Sequence, residues 1–233
     1  MHVEIWSDVV CPWCYIGKRR FEAALAGFAH RDDVKVVWRS FELDPSAPRR
    51  HEGDPADRLA AKYGISRPDA LAAQANLTSV AAGEGLDFHL GSAHGGNSFD
   101  AHRLVHLAAE SGLQDQMKER LFAAYLEEER PIGDPATLVA LAGDVGIGAE
   151  RAAAVLDGDA FADAVRSDEA EAIEIGITGV PFFVIDRALG VSGAQPVETL
   201  IAALTRAWER SHPLTTVPPS GGAASCDGDG CAI

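Results

Sequence analysis

Two cysteines separated by two residues stand where a short apolar run gives way to a helical pattern, at Cys11-Pro12-Trp13-Cys14. After them, apolar side chains recur at spacings that keep to one face of a helix, at Phe21, Leu25 and Phe28. Pro12 suits the first helical position, where a missing N–H costs nothing. The pattern predicts a strand, then a helix from about 12 to 28 with Cys11 as its N-cap and Cys14 one turn further on.

This position favours redox chemistry of the two sulfurs. A thiol at a helix N-terminus faces unpaired backbone N–H groups and the positive end of the helix dipole, and both favour the thiolate. The pKa of Cys11 is therefore expected to fall from about 8.5 into the range of about 3.5–7.5. Cys14, turned toward the core, is expected to keep a higher pKa. We interpret Cys11 as the attacking sulfur and Cys14 as the resolving thiol.

A zinc site is the main alternative, because Cys-x-x-C is half of a common ligand set and the chain has a second cysteine pair, Cys226 and Cys231. Structural zinc knuckles turn sharply through small or polar residues, whereas Pro-Trp at a helix start does not fit that pattern. Two buried cysteines without a function are the remaining interpretation. No metal site and no cofactor are predicted.

The charge of the chain excludes some partners. With 20 basic and 35 acidic residues its formal net charge is −15, so it would repel the phosphates of nucleic acids and anionic membrane surfaces. No apolar run approaches the roughly 18 residues that a membrane-spanning helix needs, and the first residues do not resemble a signal peptide. We therefore expect a cytoplasmic protein, in which Cys-x-x-C is more often catalytic than structural.

The order of predicted elements defines the fold class. A strand at 3–7 and a β-branched strand at 34–39, extended toward 43, are joined by the first helix, so they should be parallel. Seven helices follow, near 56–63, 68–82, 98–111, 114–129, 135–145, 149–156 and 160–175, with an extended stretch at 86–90. Strands at 177–185 and 189–192 should pair as a hairpin across Asp186 and Arg187, before a helix at 196–208.

This order is β-α-β, a long helical insert and β-β-α, which predicts an α/β thioredoxin-like fold interrupted by an all-helical insertion domain. The predicted domains are a discontinuous thioredoxin-like part, 1–45 and 176–210, an insertion at 46–175 and a flexible tail at 211–233. The insertion is too long for a loop and is expected to have its own core.

Three motifs resemble the DsbA family, and within it most closely the FrnE-like dithiol oxidoreductases. They are Ser-Asp-Val-Val-Cys-Pro-Trp-Cys-Tyr-Ile-Gly at 7–17, Asn-Ser-Phe-Asp-Ala-His-Arg at 97–103 and Gly-Ile-Thr-Gly-Val-Pro-Phe-Phe-Val-Ile at 176–185. The likeness covers most of 1–210. It implies thiol–disulfide exchange with protein or peptide substrates, or with a low-molecular-weight thiol.

The resemblance also implies roles for individual residues. It implies a cis Val180–Pro181 bond beside the Cys-x-x-C, with the backbone of Val180 free to pair with an extended substrate. Pro12 and Trp13, between the sulfurs, are further candidates for substrate contact. Asn97 is a candidate groove residue near Cys11, although capping of the helix near 99 is an adequate structural account of it.

Other polar residues have weaker signals. His102 and His106 are four residues apart, a spacing that suits a metal, but without a third ligand they are interpreted as core histidines on one helix face. Asp8 precedes the motif and is a candidate for tuning it. The sequence does not identify the buried carboxylate that thioredoxin-like enzymes often place behind the resolving cysteine.

The end of the chain has the composition of a linker from 211 onward and then carries Cys226 and Cys231. Cys226 comes fourteen residues after His212, a separation that spans about 20 Å as a flexible coil. We therefore expect this pair to reach Cys11 and Cys14 and to exchange with them as a dithiol shuttle. A frayed tail and a metal clip are the alternatives.

Two other function classes stay open. A glutathione-dependent isomerase or transferase of the kappa-like group shares the interrupted fold, but it stabilises a substrate thiolate and needs no resolving Cys14. A metal-binding protein would use all four cysteines.

Overall fold

The computed structural model describes residues 1–91 and 96–213. Within them the chain forms four strands and nine α-helices. In chain order these are β1 (His2–Ser7), α1 (Pro12–Gly27), β2 (Lys35–Ser40), α2 (Pro55–Tyr63), α3 (Arg67–Gly83), α4 (Phe99–Ala109), α5 (Gln114–Leu126), α6 (Pro135–Asp144), α7 (Ala149–Asp157), α8 (Ala162–Glu174), β3 (Phe182–Ile185), β4 (Leu189–Ser192) and α9 (Val197–Ser211). The predicted thioredoxin-like element order is confirmed.

The strands form one sheet in the order β2-β1-β3-β4. The pairing of β1 with β2 is parallel, as α1 between them requires, and β3 runs antiparallel to β1. The predicted β3–β4 hairpin is present, and its turn places Asp186 and Arg187 at positive φ. This topology puts the β1–α1 connection, which carries the cysteines, at one end of the sheet.

The two faces of the sheet are covered by different helices. Phe21 of α1 stacks on Phe183 of β3 with ring centroids 5.4 Å apart, on the face that also carries Ile5. On the opposite face Trp6 is fully buried, and its indole N–H donates to the Asp168 carbonyl of α8 at 2.9 Å. Alternation along β1 therefore buries both faces of the strand that leads to the cysteines.

The helical segment shares its core with the sheet. Ile5 of the sheet and Leu104, Leu121 and Leu138 of α4, α5 and α6 belong to one continuous cluster of buried side chains. The expected separate core is wrong, because α5 packs directly against β2, and the indole N–H of Trp38 donates to the Asp115 carboxylate there at 2.9 Å. The division into domains at 46 and 175 stays a prediction.

The helices agree with the sequence prediction to within three residues, but two extended segments do not. The strand expected over 177–185 begins only at Phe182, since the cis bond at Pro181 turns the chain and proline has no N–H to pair. The stretch 86–90 joins no strand, and the amide of His89 instead donates to the Leu126 carbonyl at 2.7 Å.

The described parts contain no helix that is both long and apolar enough to cross a bilayer. Cys226 and Cys231, with the rest of the chain after 213, lie outside the residues described.

Candidate active site

Cys11 and Cys14 lie at the first turn of α1, as the sequence predicts. Cys11 is the N-cap, with extended φ and ψ of −91° and 110°, and Pro12 occupies the first turn of the helix. The amide of Cys11 donates to the Asp8 carbonyl at 3.1 Å, and that of Cys14 to the Cys11 carbonyl at 3.0 Å. These two bonds fix the loop between β1 and α1 around the two sulfurs, both of which are free thiols.

The two cysteines differ in their surroundings. Cys11 is 5% exposed, Cys14 is 1% exposed, and Trp13 between them is 41% exposed. Burial, and then the neighbouring Cys11 sulfur, raise the pKa of Cys14 well above its ordinary value. The backbone N–H of Asp8 and the charge of Lys118 oppose this rise. Cys14 is therefore a protonated thiol at neutral pH.

The loop that contains Pro181 lies against Cys11. The Val180–Pro181 bond is cis, as the resemblance implies, and the Cys11 thiol lies 3.7 Å from the Val180 carbonyl oxygen, to which it donates. Gly17 permits this approach, because a Cβ on it would lie 2.8 Å from Cγ of Pro181. A side chain at position 17 would push the proline loop away from α1.

Lys118 of α5 belongs to this site, although the sequence did not identify it. Its side chain is fully buried, and its ammonium group donates to the Ser7 carbonyl at 3.2 Å. The ammonium lies 5.3 Å from the ring centroid of Phe122 and 5.8 Å from that of Trp38. Burial lowers the pKa of Lys118 to about 8, although the charges of Cys14, Asp8 and Cys11 oppose that fall.

Asp8 is a buried carboxylate in the same region. It is fully buried and accepts hydrogen bonds from the amides of Leu43 and Val10 at 2.7 and 3.3 Å. Its carboxylate also lies 3.5 Å from Nε2 of buried His102. Burial alone would raise the pKa of Asp8, but His102, Leu43 and Ser98 outweigh it, so the pKa is lowered and Asp8 is ionised.

The two histidines of α4 are buried or half-buried, as interpreted from their spacing. Neither ring nitrogen of His102 has a hydrogen bond within the described residues, and burial and the Lys118 charge lower its pKa. His106 lies 3.1 Å from the Asp168 carboxylate. Among the residues described, no three His, Cys, Asp or Glu side chains form a group that would hold a metal ion.

Asn97 stabilises the start of helix α4. Its side-chain oxygen accepts from the amide of Phe99 at 2.9 Å, and its NH₂ group donates to Glu42 and to the Pro45 carbonyl at 3.2 Å. These bonds use the oxygen and both N–H bonds of the side-chain amide. The structural account of Asn97 is therefore sufficient, and a role in substrate binding stays a prediction.

A cavity of about 630 Å³ opens beside Pro12, between the cysteine loop and helices α2 and α3. Its walls combine apolar and aromatic side chains with basic groups, among them Leu59, Tyr63, Leu77, Tyr125, Arg58 and Lys62. Its size suits a small ligand or a few residues of a peptide.

A model of the DSBA-like thioredoxin domain family matches residues 2–205. The chain belongs to this family. It is 48% identical to a probable DsbA oxidoreductase from Streptomyces coelicolor, with a TM-score of 0.88 over 100% of this chain and 99% of that one. It is also 29% identical to the uncharacterized protein YwbO of Bacillus subtilis over 208 residues, which are 87% of this chain and 96% of that protein.

A more distant DsbA-like structure is the cytosolic disulfide reductase DsbM from Pseudomonas aeruginosa, which has also been solved with GSH. It is 17% identical, with TM-scores of 0.61 and 0.62 over 90% of this chain and 100% of that one. Membership of the DsbA-like family supports thiol–disulfide oxidoreductase or isomerase activity in general terms.

The lowered pKa of Lys118 has a consequence for stability. Between the folded value of about 8 and the ordinary 10.5, the unfolded chain binds the proton more tightly, so stability should rise with pH across this window. We expect Lys118→Met to increase the free energy of unfolding at pH 7 by about 1–3 kcal/mol. The gain should shrink toward pH 10.5 in urea denaturation curves.

Lys18→Met is the matched control, because Lys18 is also buried but contacts the carboxylates of Glu22, Asp115 and Glu119. It should destabilise the protein, since those acids lose their partner. A loss of stability at pH 7 in Lys118→Met as large as that in Lys18→Met would contradict the account.

Proposed function

We propose that this DsbA-like protein is a thiol–disulfide oxidoreductase in which Cys11 attacks the substrate and Cys14 resolves the mixed disulfide. The observation that carries the proposal is the contrast between the two sulfurs. Cys11, which is 5% exposed, caps α1 beside the cis-proline loop, whereas Cys14 is 1% exposed and is held protonated one turn further in. The greater exposure of Cys11 and its position beside the cis-proline loop support its role as the sulfur that meets the substrate first.

The exchange proceeds in two displacements. The Cys11 thiolate attacks one sulfur of a substrate disulfide, so a Cys11–substrate bond forms and the other substrate sulfur leaves as a thiolate. Cys14 then loses its proton to solvent, and its thiolate attacks the Cys11 sulfur. The Cys11–Cys14 bond forms, and the second substrate sulfur leaves as a thiolate. Two electrons pass to the substrate, whose thiolates take up protons from solvent, and the reverse sequence oxidises a dithiol.

The surface around Cys11 supports binding of an extended peptide or a small thiol. The amide N–H of Val180 donates no hydrogen bond within the described part of the chain, and this group is available for pairing with a substrate backbone. Exposed Trp13 offers an aromatic contact, and Pro12 lines the neighbouring cavity. The GSH-bound structure of DsbM supports a low-molecular-weight thiol as one substrate.

Two further parts of the proposal concern the type of oxidoreductase and its location. The FrnE-like type of dithiol oxidoreductase rests on the three sequence motifs. The cytoplasmic location rests on the likeness to DsbM, a cytosolic disulfide reductase.

Replacement of each active-site cysteine tests the assignment. Cys11→Ser should reduce exchange with a model peptide disulfide to the uncatalysed background, because the attacking sulfur is gone. Cys14→Ser should trap a covalent Cys11–peptide adduct, since nothing resolves it. The adduct is measured by intact-protein mass spectrometry after acid quenching.

The same pair of variants distinguishes the alternatives. Full turnover in Cys14→Ser would favour a glutathione-dependent isomerase or transferase and would contradict the dithiol mechanism. Stoichiometric metal that is lost in both variants would favour a metal-binding protein instead.

We also propose that Cys226 and Cys231 relay electrons between Cys11–Cys14 and an external partner. Deletion of residues 221–233 should then slow turnover with protein dithiol donors. The double variant Cys226→Ser and Cys231→Ser should slow it equally, because the sulfurs and not the length of the tail matter. If turnover with every thiol donor is unchanged in both the deletion and the double variant, the relay is contradicted.

A further inference from the structure

The peptide unit between Ser7 and Asp8 interacts with both Cys14 and the buried Lys118 ammonium. The carbonyl of Ser7 accepts a hydrogen bond from the Lys118 ammonium at 3.2 Å. The N–H of the same peptide unit, that of Asp8, interacts with the Cys14 thiol and lowers its pKa. The polarised peptide therefore connects Lys118 of α5 with the sulfur at the first turn of α1.

Lys118 has no carboxylate oxygen within 4.0 Å among the residues that the structure describes. The neighbouring acids already have partners, because Asp8 lies against His102 and Asp168 binds Arg39 at 2.9 Å. Buried Lys18 differs, since it contacts three carboxylates. A fully buried ammonium without such a partner is costly, which points to a functional reason for its presence.

The charged and titratable groups around Lys118 come from α1, α4 and α8 and from the loop after β1. The charges of Cys14, Asp8, Cys11 and Asp168 all raise its pKa. His102 of α4 also faces it, and the Lys118 charge lowers the pKa of that histidine. The Lys118 ammonium and the Cys14 sulfur therefore interact electrostatically, and each shifts the pKa of the other.

We propose that Lys118 is the positioned counter-charge that allows Cys14 to ionise during the resolving step. The inference rests on the proposed function. Cys14 loses its proton to solvent, the buried ammonium and the Asp8 N–H stabilise the thiolate, and that thiolate displaces the substrate sulfur from Cys11. Formation of the Cys11–Cys14 bond removes the negative charge again. Lys118 makes no bond to the reacting atoms in this sequence, so it is a positioning residue.

The test measures ionisation of Cys14 without any substrate. In the Cys11→Ser chain, labelled with ¹³C-cysteine, the Cβ shift of Cys14 is followed against pH by NMR. Adding Lys118→Met should raise the midpoint by about one pH unit or more, since a buried opposite charge lowers a thiol pKa by that order. Lys18→Met, the matched loss of a buried lysine, should leave the midpoint unchanged.

Lys118→Arg separates charge from shape. It keeps a cation at this position, so a folded Arg variant should titrate closer to the parent than Lys118→Met does. A Met variant whose Cys14 midpoint stays within a few tenths of a pH unit of the parent would overturn the proposal. A folded Arg variant with a midpoint as high as that of the Met variant would also overturn it.

A kinetic measurement separates this inference from the function on which it rests. In the chain with both cysteines, Lys118→Met should accumulate the Cys11 mixed disulfide, with the resolving step about tenfold slower and the first attack less affected. If Cys11→Ser retains exchange activity, the proposed function fails, whereas the substrate-free titration of Cys14 still decides the role of Lys118.

Discussion

The unequal burial of two sulfurs at one helix start is the constraint on which the rest of the site depends. Strand β1 ends inside the core. The Asp8 carbonyl then accepts a hydrogen bond from the amide of Cys11, which is the N-cap of α1. One turn further, Cys14 is buried in a cluster with Phe122 and Leu126 of α5. In the proposed mechanism, the same helix start presents one thiol toward substrate, while burial keeps the second one protonated.

This arrangement has an energetic cost that the fold has to offset. Asp8, His102 and Lys118 are all fully buried, and burial disfavours the charged form of each. Apolar side chains in this place would make the protein more stable, because the interactions of a buried charge rarely offset its loss of hydration free energy. The continuous cluster that joins the sheet to α4, α5 and α6 supplies the compensating burial.

Local pattern was enough to predict the parts of the site that are close together in sequence. Pro12 and the spacing after Cys14 predicted the helix and its cap, and the β-α-β order predicted the parallel pairing of β1 with β2. The sequence did not identify Lys118, which comes more than a hundred residues after Cys14 in a run of charged residues. A signal was present, because Lys118, Leu121, Phe122 and Tyr125 share one helix face.

Other features depend on tertiary structure and could not be predicted from local pattern. The pairing of Asp8 with His102 needs α4 to pack against the β1–α1 loop, which no spacing shows. The late start of β3 follows from the cis bond at Pro181, whereas its apolar pattern from 177 onward is equally typical of a strand. The prediction of a separate core for the helical insert was wrong for a related reason. The apolar pattern of a helix shows which face is buried, but not which other element packs against that face.

The most direct test of the central claim is competition between the two thiols within one molecule. The reduced protein is treated with a limiting amount of a small alkylating reagent across a pH series, and peptide mapping measures the label at each cysteine. The account predicts that Cys11 carries nearly all of the label at neutral pH and that Cys14 reacts only at high pH. Equal labelling of both, or labelling of Cys14 first, would contradict it.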